Sequence, residues 1–402
     1  MRQKSRRMTY ATITIVLLTL ALAAPIHAAK FKVLYAFQDG ADGQFPYAPL
    51  VFDKAGNLYG TTSGYYGDGE KGTVFKLTRN PDGSWSETVI HTFNGSDGQY
   101  PYAGLIFDAA GNLYGSTTEL GAYGGGTIFK LTPDRRGNWT ETVIHNFNGD
   151  DGFSPVGELI FDTAGNLYGT TDWGGTYGEG TAFKLTPNPD GSWSETVLHG
   201  FGGEDGARPQ GSLIFDNAGN LYGTTFNGGV GDNRGTVFKL TPNPDGTWSH
   251  TVIHYFHYSD GARPRGALVF DVAGNLYGTT QEGGSHGQGT VFKLTPNPDG
   301  SWTRSKVHSF NGQDGGWPLA GLIFDEAGNL YGTTYFGGIR DAGTAFKLTP
   351  NPDGSWKRTT LHAFKGTDGA GPYAGLIFDA AGNLYGTTQS GAKVGVVFRI
   401  KP

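Results

Sequence analysis

The sequence GNLYG at residues 56–60 decides the fold, because it returns six more times at a nearly constant spacing. The later copies begin at residues 111, 165, 219, 274, 328 and 382. Successive tyrosines of these copies lie 54 or 55 residues apart. A period this regular predicts a repeat architecture and leaves no room for a separate second domain.

Each repeat predicts four short strands separated by turns. In residues 104–147 the strands are expected at 104–108, Leu113–Thr118, Thr127–Thr132 and Trp139–Phe147. These segments are rich in β-branched and aromatic residues, and glycine, proline, asparagine and aspartate stand between them. Four strands per repeat at this period are typical of a β-propeller blade.

The two ends of the chain predict how the ring closes. The last repeat stops after its third strand, at Val396–Ile400, and lacks a fourth. A matching segment stands near the start of the chain, where Lys32–Phe37 resembles Thr88–Phe93. Pairing of this strand into the last blade would hide the sheet edges that otherwise invite aggregation. The sequence therefore predicts an all-β fold: a seven-bladed β-propeller over residues 30–402, with four antiparallel strands per blade, closed by the N-terminal strand.

Residues 1–29 predict a signal peptide. Arg2–Arg7 form a basic region, Ala11–Ala24 form an apolar stretch, and Ala28 and Ala29 offer small residues for cleavage. The apolar stretch is too short to span a membrane, and no other segment approaches the required length. We therefore expect a secreted or periplasmic protein with no membrane span in the mature chain. The export route, general secretory or twin-arginine, stays open.

The composition excludes several classes of function. The chain has 68 glycines among 402 residues and no cysteine, which rules out disulfides, a cysteine nucleophile and thiolate metal sites. The formal net charge is −6, and it nears −10 without the basic leader. A negative chain has no electrostatic attraction for nucleic acid, so we expect none as a partner. We expect a monomer.

The repeat also resembles a known family. The segments LIFDxAGNLYGTT, GTVFKLTPNPDGSW and ETVIHxF closely resemble the Gloeo/Verruco ("GloVer") tandem repeat of the choice-of-anchor GloVer-containing proteins, over essentially the whole mature chain. The first segment is also similar to the opening strands of NHL-type propeller blades. The resemblance implies an exported protein, often with a C-terminal surface anchor, and it carries no catalytic residue. The segment Phe398–Pro402 shows no anchor signal.

Residues that recur in the repeats are predicted to build the blade and not to perform chemistry. Three sets recur. The histidines are His91, His145, His199, His254, His308 and His362, with Tyr35 in the first copy. The aspartates of Asp-Gly pairs are Asp42, Asp97, Asp151, Asp205, Asp260, Asp314 and Asp368. The tryptophans are Trp85, Trp139, Trp193, Trp248, Trp302 and Trp356.

Each recurring set has a structural interpretation. Ligands of one metal ion must converge within about 2.0–2.2 Å of it, whereas the histidines belong to different blades. We therefore predict packing for the histidines and no metal site or other cofactor. The aspartates suit turns, with bound calcium as the alternative. The tryptophans are expected to cover the outer end of each blade.

The connectivity separates a constant face of the ring from a variable one. Loops between strands one and two, and three and four, are nearly identical between repeats. Loops between strands two and three, and between blades, differ, so a ligand is expected on their face. The predicted binding residues of this variable face are Trp173, Tyr177, Trp317, Arg208, Arg263, Arg265, Glu158 and Asp172. The same loops also carry Tyr65, Tyr66, Tyr123, Phe226, Tyr335 and Phe336.

These residue types favour a saccharide, because rings stack on apolar sugar faces and arginines pair with carboxylates. The leading hypothesis is a non-catalytic exported module that binds or scaffolds a polysaccharide or protein. The alternative is an extracellular glycoside hydrolase or polysaccharide lyase. A hydrolase would draw a carboxylate pair from Glu119, Glu158 and Asp172; a lyase would use His257 or His286 as a base beside Arg263. A purely structural envelope protein, or ordinary drift of exposed loops, stays open, and no catalytic residue is assigned.

Overall fold

Seven antiparallel sheets, one for each sequence repeat, make up the fold of the described residues; each has the four strands of a blade, and one has a short fifth strand. This computed structural model describes residues 29–38, 40–64 and 69–402. Within those ranges every regular element is a strand, so the all-β, seven-bladed prediction is confirmed. The predicted signal peptide, except Ala29, and the loop residues Tyr65 and Tyr66 lie outside the described residues.

The strands occupy equivalent positions in blades 1 to 7, numbered in chain order. The first strands are Val51–Phe52, Ile106–Phe107, Ile160–Phe161, Ile214–Phe215, Val269–Phe270, Ile323–Phe324 and Ile377–Phe378. The residues just before these strands line a central channel to which all seven blades contribute. The second strands are Leu58–Thr62, Leu113–Thr117, Leu167–Trp173, Leu221–Thr225, Leu276–Thr280, Leu330–Thr334 and Leu384–Thr388. The third strands are Thr73–Arg79, Thr127–Pro133, Thr181–Pro187, Thr236–Pro242, Thr290–Pro296, Thr344–Pro350 and Val396–Lys401.

The outer strands complete the blades. They are Trp85–Thr92, Trp139–Asn146, Trp193–Gly200, Trp248–Tyr255, Trp302–Ser309, Trp356–Ala363 and, in blade 7, Lys30–Ala36. In all seven, the pairing with the third strand shifts by one residue, as between Ile128 and Phe129 of blade 2 and between Val33 and Tyr35 of the closing strand. A short extra strand, Phe153–Pro155, pairs with the second strand of blade 3.

The first strand of the chain closes the ring as the sequence predicts. Lys30–Ala36 pairs antiparallel with Val396–Lys401, with Phe31 opposite Ile400 and Ala36 opposite Val396. Phe37, which follows the strand, is fully buried and donates its N–H to the Gly395 carbonyl at 3.1 Å. The closing strand therefore contributes both backbone pairing and core.

The hydrophobic core is divided among the junctions between blades. One cluster contains Tyr59 and Phe93 of blade 1 together with Leu113 and Phe129 of blade 2, and all four side chains are buried. The other clusters repeat this arrangement around the ring. Because neighbouring blades pack face to face, each blade depends on the next for its burial.

The GNLYG motif supplies the first turn and one close contact. Asp53 Oδ1 accepts hydrogen bonds from the N–H groups of Ala55 and Asn57, both at 2.9 Å, and Oδ2 accepts one from the Tyr59 hydroxyl at 3.2 Å. Burial acts to raise the pKa of Asp53, but these bonds and the Asn57 side chain outweigh it and lower the pKa. A Cβ at Gly60 would lie 2.6 Å from the Phe75 ring, so only glycine fits there.

The recurring tryptophan packs across the junction, which differs from the predicted cover over the end of its own blade. Trp139 of blade 2 lies edge-on to Tyr59 of blade 1, with ring centres 5.9 Å apart. It also packs against the cluster shared by these two blades. The sequence could not show this contact, because the partner belongs to the preceding repeat.

Candidate functional site

Each blade is entered through an X-Pro pair whose first residue has positive φ. These residues are Phe45, Tyr100, Ser154, Arg208, Arg263, Trp317 and Gly371, with φ between 53° and 61°. Side chains other than glycine rarely adopt this conformation, so the surrounding structure must hold it. Arg208 shows how: its N–H donates to the Glu179 carbonyl of blade 3 at 2.7 Å, and its carbonyl accepts from Phe226 N–H of blade 4 at 2.9 Å. The X residue therefore ties neighbouring blades together on the variable face.

Arg208 is held by a carboxylate, which a glutamine also contacts, and by an aromatic ring. Its Nε and Nη2 atoms donate to the two carboxylate oxygens of Asp172 at 3.2 and 2.7 Å. Gln210 Nε2 donates to Asp172 Oδ1 at 2.8 Å. The guanidinium carbon lies 4.2 Å from the centre of the Trp173 ring. Paired hydrogen bonds of this kind set both the position and the orientation of an arginine.

Three arginines surround the Phe226 ring, one from the entry of blade 4 and two from the entry of blade 5. The guanidinium carbons of Arg208, Arg263 and Arg265 lie 5.6, 5.3 and 5.4 Å from its ring centre. Arg263 Nη1 donates to Glu282 Oε1 at 2.7 Å, so this arginine, like Arg208, has a carboxylate partner. Among the described residues, no carboxylate pairs with Arg265.

The residue after each X-Pro proline faces the axis of the ring. These residues are Tyr47, Tyr102, Val156, Gln210, Arg265, Leu319 and Tyr373. On the variable face they surround a cavity of about 500 Å³, which we call the channel mouth and define by Tyr47, Tyr102, Asp172, Arg208, Arg265 and Tyr373. Tyr47 lies 5.1 Å from Tyr373 and 5.0 Å from Tyr102, measured between ring centres.

Arg265 is one of the residues that line this mouth. Its guanidinium carbon is 5.3 Å from the Tyr373 ring centre. Burial raises the pKa of Tyr373 although the positive charge of Arg265 opposes the shift. The Tyr373 hydroxyl is therefore a neutral hydrogen-bonding group beside the positive charge of Arg265.

Glu158 lies deeper, in the channel below the mouth. Its side chain packs against Gly104 of the neighbouring blade, where an added Cβ would come within 2.9 Å of it. Its backbone N–H donates to Ser212 Oγ at 2.9 Å. Burial raises the pKa of the Glu158 carboxyl to about 7. The carboxyl therefore changes charge near neutral pH.

The structure brings together five of the eight predicted residues: Trp173, Arg208, Asp172, Arg263 and Arg265. Glu158 lies in the channel below them. Trp317 packs on Phe336 at 5.0 Å, which in turn packs on Tyr335 of the mouth at 4.5 Å. Tyr177 is 67% exposed and lies outside the mouth.

Sequence reasoning missed Tyr47, Tyr102, Gln210 and Tyr373. A signal for them exists in the repeats. The position after the X-Pro proline varies strongly, while the proline and the first strand that flank it stay constant. This varying position, close to the innermost strand of each blade, is the one whose side chain reaches the axis of the ring.

The recurring histidines and aspartates are partners of one another. His91 Nε2 lies 3.0 Å from Asp97 Oδ2, and the same pair forms in five further repeats at 2.7 to 3.2 Å. In the first repeat, the Tyr35 hydroxyl donates to Asp42 at 2.8 Å. Asp97 Oδ1 also accepts the Asn94 N–H at 2.9 Å, which is the turn role expected for it. We call these pairs the dyads.

A ring of seven blades, closed by its N-terminal strand and with a lined channel mouth on its variable face, defines a β-propeller. The profile of the Gloeobacter/Verrucomicrobia repeat family matches residues 65–269 and 216–402. The chain belongs to this family. A search of curated proteins finds no match.

Among solved structures, the chain is similar to PorZ, described as an essential bacterial surface component of the type-IX secretion system of Porphyromonas gingivalis. The TM-score is 0.52 at 16% identity, over 90% of this chain and 47% of that one. The chain thus spans about half the length of PorZ, and at this identity the likeness concerns the fold alone. In the part of the chain that the structure describes, no helix is long and apolar enough to cross a membrane.

Proposed function

We propose that the protein is an exported, non-catalytic binding module that holds an acidic polysaccharide at its channel mouth. Two observations support export: the leader-like residues 1–29, and the likeness in fold to a bacterial surface component. The ligand class follows from the mouth itself, where Arg265 lacks, among the described residues, the carboxylate partner that Arg208 has and lies beside the Tyr373 ring. A uronic acid unit carries a carboxylate beside an apolar ring face and matches that arrangement.

The observation that carries the proposal is the position of Arg265. Arg208 and Arg263 are each paired with a carboxylate, whereas Arg265 lies between Phe226 and Tyr373 with no such partner in the described chain. An arginine binds a carboxylate through two parallel hydrogen bonds, and these bonds gain strength where water is partly excluded. Arg265 is therefore the group that would hold the ligand's charge.

The surrounding side chains suit a sugar. Tyr47, Tyr102 and Tyr373 provide ring faces for stacking and hydroxyls for hydrogen bonding. The Gln210 amide oxygen is buried and has no hydrogen-bond partner among the described residues, so it can accept a bond from a sugar hydroxyl. The Asp172–Arg208 pair holds one wall of the mouth in place before the ligand arrives, which lowers the entropic cost of binding.

The catalytic alternative finds less support at this site. Both oxygens of Asp172 accept hydrogen bonds from Arg208 or Gln210, so Asp172 is not a free base. Glu119 accepts a bond from Gln99 at 2.9 Å. His257 lies 3.4 Å from Asp232, and neither His257 nor His286 lines the mouth among the described residues. We propose no reaction.

The test is calorimetric titration of the purified protein with oligogalacturonate and with its methyl ester, which has the same sugar backbone without the charge. Binding of the acid form alone is expected. Arg265→Gln, which installs the residue that blade 4 carries at this position, should weaken binding roughly ten- to hundredfold, because a charged hydrogen bond is lost. Arg340 is an exposed arginine of the same face outside the mouth, and Arg340→Gln should leave the affinity for oligogalacturonate unchanged.

Equal binding of acid and ester, or full binding by Arg265→Gln, would contradict the proposal. An assay for new reducing ends, run on the same samples, separates binding from cleavage. Binding only by a protein partner would replace the polysaccharide assignment with a protein one.

A further inference from the structure

A third residue faces each dyad from the outer strand of the next blade. Going around the ring from the outer strand of blade 1, these residues are Glu87, Glu141, Glu195, His250, Arg304, Arg358 and, on the closing strand, Phe31. The contact that the third residue makes at each junction depends on its residue type. Phe31 stacks on His362 with ring centres 3.7 Å apart, and the Arg304 guanidinium donates to the Asp260 carbonyl. Each junction between blades thus carries its own three-residue cluster.

At the junction of blades 3 and 4 this third residue is a second histidine. The His250 ring stacks on that of His199, with centres 4.1 Å apart and planes inclined by 7°. His199 Nε2 lies 2.7 Å from Asp205 Oδ2. His250 Nε2 is buried and has no hydrogen-bond partner among the described residues. The charged residues at the equivalent positions also carry a buried atom without a partner in the described chain, but at His250 this atom is an imidazole nitrogen, which a bound metal ion would satisfy.

We propose that His199, Asp205 and His250 form a site for a divalent transition metal ion that joins blades 3 and 4. One ligand atom from each residue lies within 4.8 Å of the other two. Two imidazoles and a carboxylate are a ligand set for zinc, which leaves a fourth position for water. Imidazole ligands also favour Zn²⁺, Cu²⁺ or Ni²⁺ over Ca²⁺, which takes oxygen ligands.

The surroundings allow the ion to enter and be held. The side chains of His199 and Asp205 are 20% and 32% exposed, so the cluster opens to solvent. The His250 ring lies beside that of His199 and carries a buried nitrogen, Nε2, that is free to bind the ion. The two rings must tilt out of their parallel stack for both nitrogens to reach one ion. Binding would therefore change the geometry of this junction.

The repeats supply matched variants for the test. His250→Arg installs the residue found at the next two junctions, so the fold has a natural precedent for it while one ligand is lost. Arg304→His builds the same three-residue set at the next junction, beside His254 and Asp260. The register is equivalent, since Leu240 pairs with His250 and Leu294 with Arg304.

The experiment is calorimetric titration of the metal-free protein, purified without a polyhistidine tag, with ZnCl₂ at pH 7.5. One equivalent is expected for the natural sequence, none for His250→Arg and two for Arg304→His. Thermal unfolding of the same samples should show a zinc-dependent rise in Tm of a few degrees in the natural protein, because the ion binds the folded state. The rise should disappear in His250→Arg.

Zinc bound equally by the natural protein and His250→Arg, or by neither, would overturn the assignment. A single equivalent in Arg304→His would overturn the claim that this arrangement of residues suffices. Circular dichroism of each variant in the absence of zinc verifies the fold, so a lost site is distinguishable from a lost structure.

Discussion

The guanidinium carbon of Arg208 lies 4.2 Å from the centre of the Trp173 ring, although Trp173 ends the second strand of blade 3 and Arg208 enters blade 4. The same guanidinium holds the carboxylate of Asp172, whose side chain is only 8% exposed. Two residues at variable positions of this face are therefore in contact with each other across a blade junction. Their contact forms one wall of the region that leads to the channel mouth.

This contact should be measurable as a coupling free energy. Trp173→Ala and Arg208→Ala, made singly and together, are expected to show a coupling of about 1 kcal/mol in urea unfolding, since the cation–π contact is partly exposed. Arg208→Ala alone should cost about 2–4 kcal/mol, because Asp172 keeps a buried charge without its partner. Tyr177→Ala, in the same loop and 67% exposed, should cost less than about 0.5 kcal/mol. Additive effects of Trp173 and Arg208 would argue against the contact.

Glu158 should make stability fall as the pH rises. Its pKa is raised by burial from an ordinary value near 4.5 to about 7, so the folded state holds the proton more tightly than the unfolded state. The ionised Glu158 carboxyl lowers the free energy of unfolding. This loss is absent below pH 4.5, grows up to pH 7 and is constant above it. Glu158→Gln should therefore gain stability at pH 8, by roughly 3 kcal/mol at most, and little at pH 4.5.

Urea midpoints at the two pH values measure this difference. Val156→Ala, in the same segment but without an ionisable group, is the control, and its effect should not vary with pH. A gain from Glu158→Gln that is equal at pH 4.5 and 8 would show that burial of the charge is not its cause.

Gly180 should tolerate substitution far less than Gly178 in the same loop. Both have positive φ, which costs an alanine about 1–2 kcal/mol. At Gly180 a Cβ would also lie 2.4 Å from the Thr171 carbonyl oxygen and 2.7 Å from Pro209 of the next blade, whereas nothing lies within 4 Å of one at Gly178. Gly180→Ala should therefore cost about 1–3 kcal/mol more than Gly178→Ala in urea unfolding. Equal costs would mean that the backbone at this blade junction relaxes around the added Cβ without loss of stability.

Removing the closing strand should destabilise the ring. A chain that begins at Gln38 leaves the edge of Val396–Lys401 unpaired and takes away Phe31 and the buried Phe37. We expect a lower Tm than for a chain that begins at Lys30, together with concentration-dependent association through the free edge. Light scattering and thermal unfolding of the two chains test this. An unchanged Tm would contradict the closure.

The fold could be predicted because its information is local and repeated. GNLYG sets a turn and a close glycine contact in each blade, and the unmatched third strand at Val396 points to the partner near Lys32. The site was predicted in part, since Trp173, Arg208 and Arg265 depart from the repeat and can be found by comparing its copies. Tyr47, Tyr102 and Tyr373 were missed, because tyrosine occurs three times at this position and so no single copy stands out, although the position itself varies.

The sequence by itself determined the number of blades, the order of strands and the face that varies, because these follow from periodicity and from the alternation of strands and turns. Only the tertiary structure decided which residues meet across junctions. It placed Arg265 among tyrosines and stacked His250 on His199. Such contacts join residues from different repeats, and their distances depend on how blades pack against one another, which no local pattern encodes.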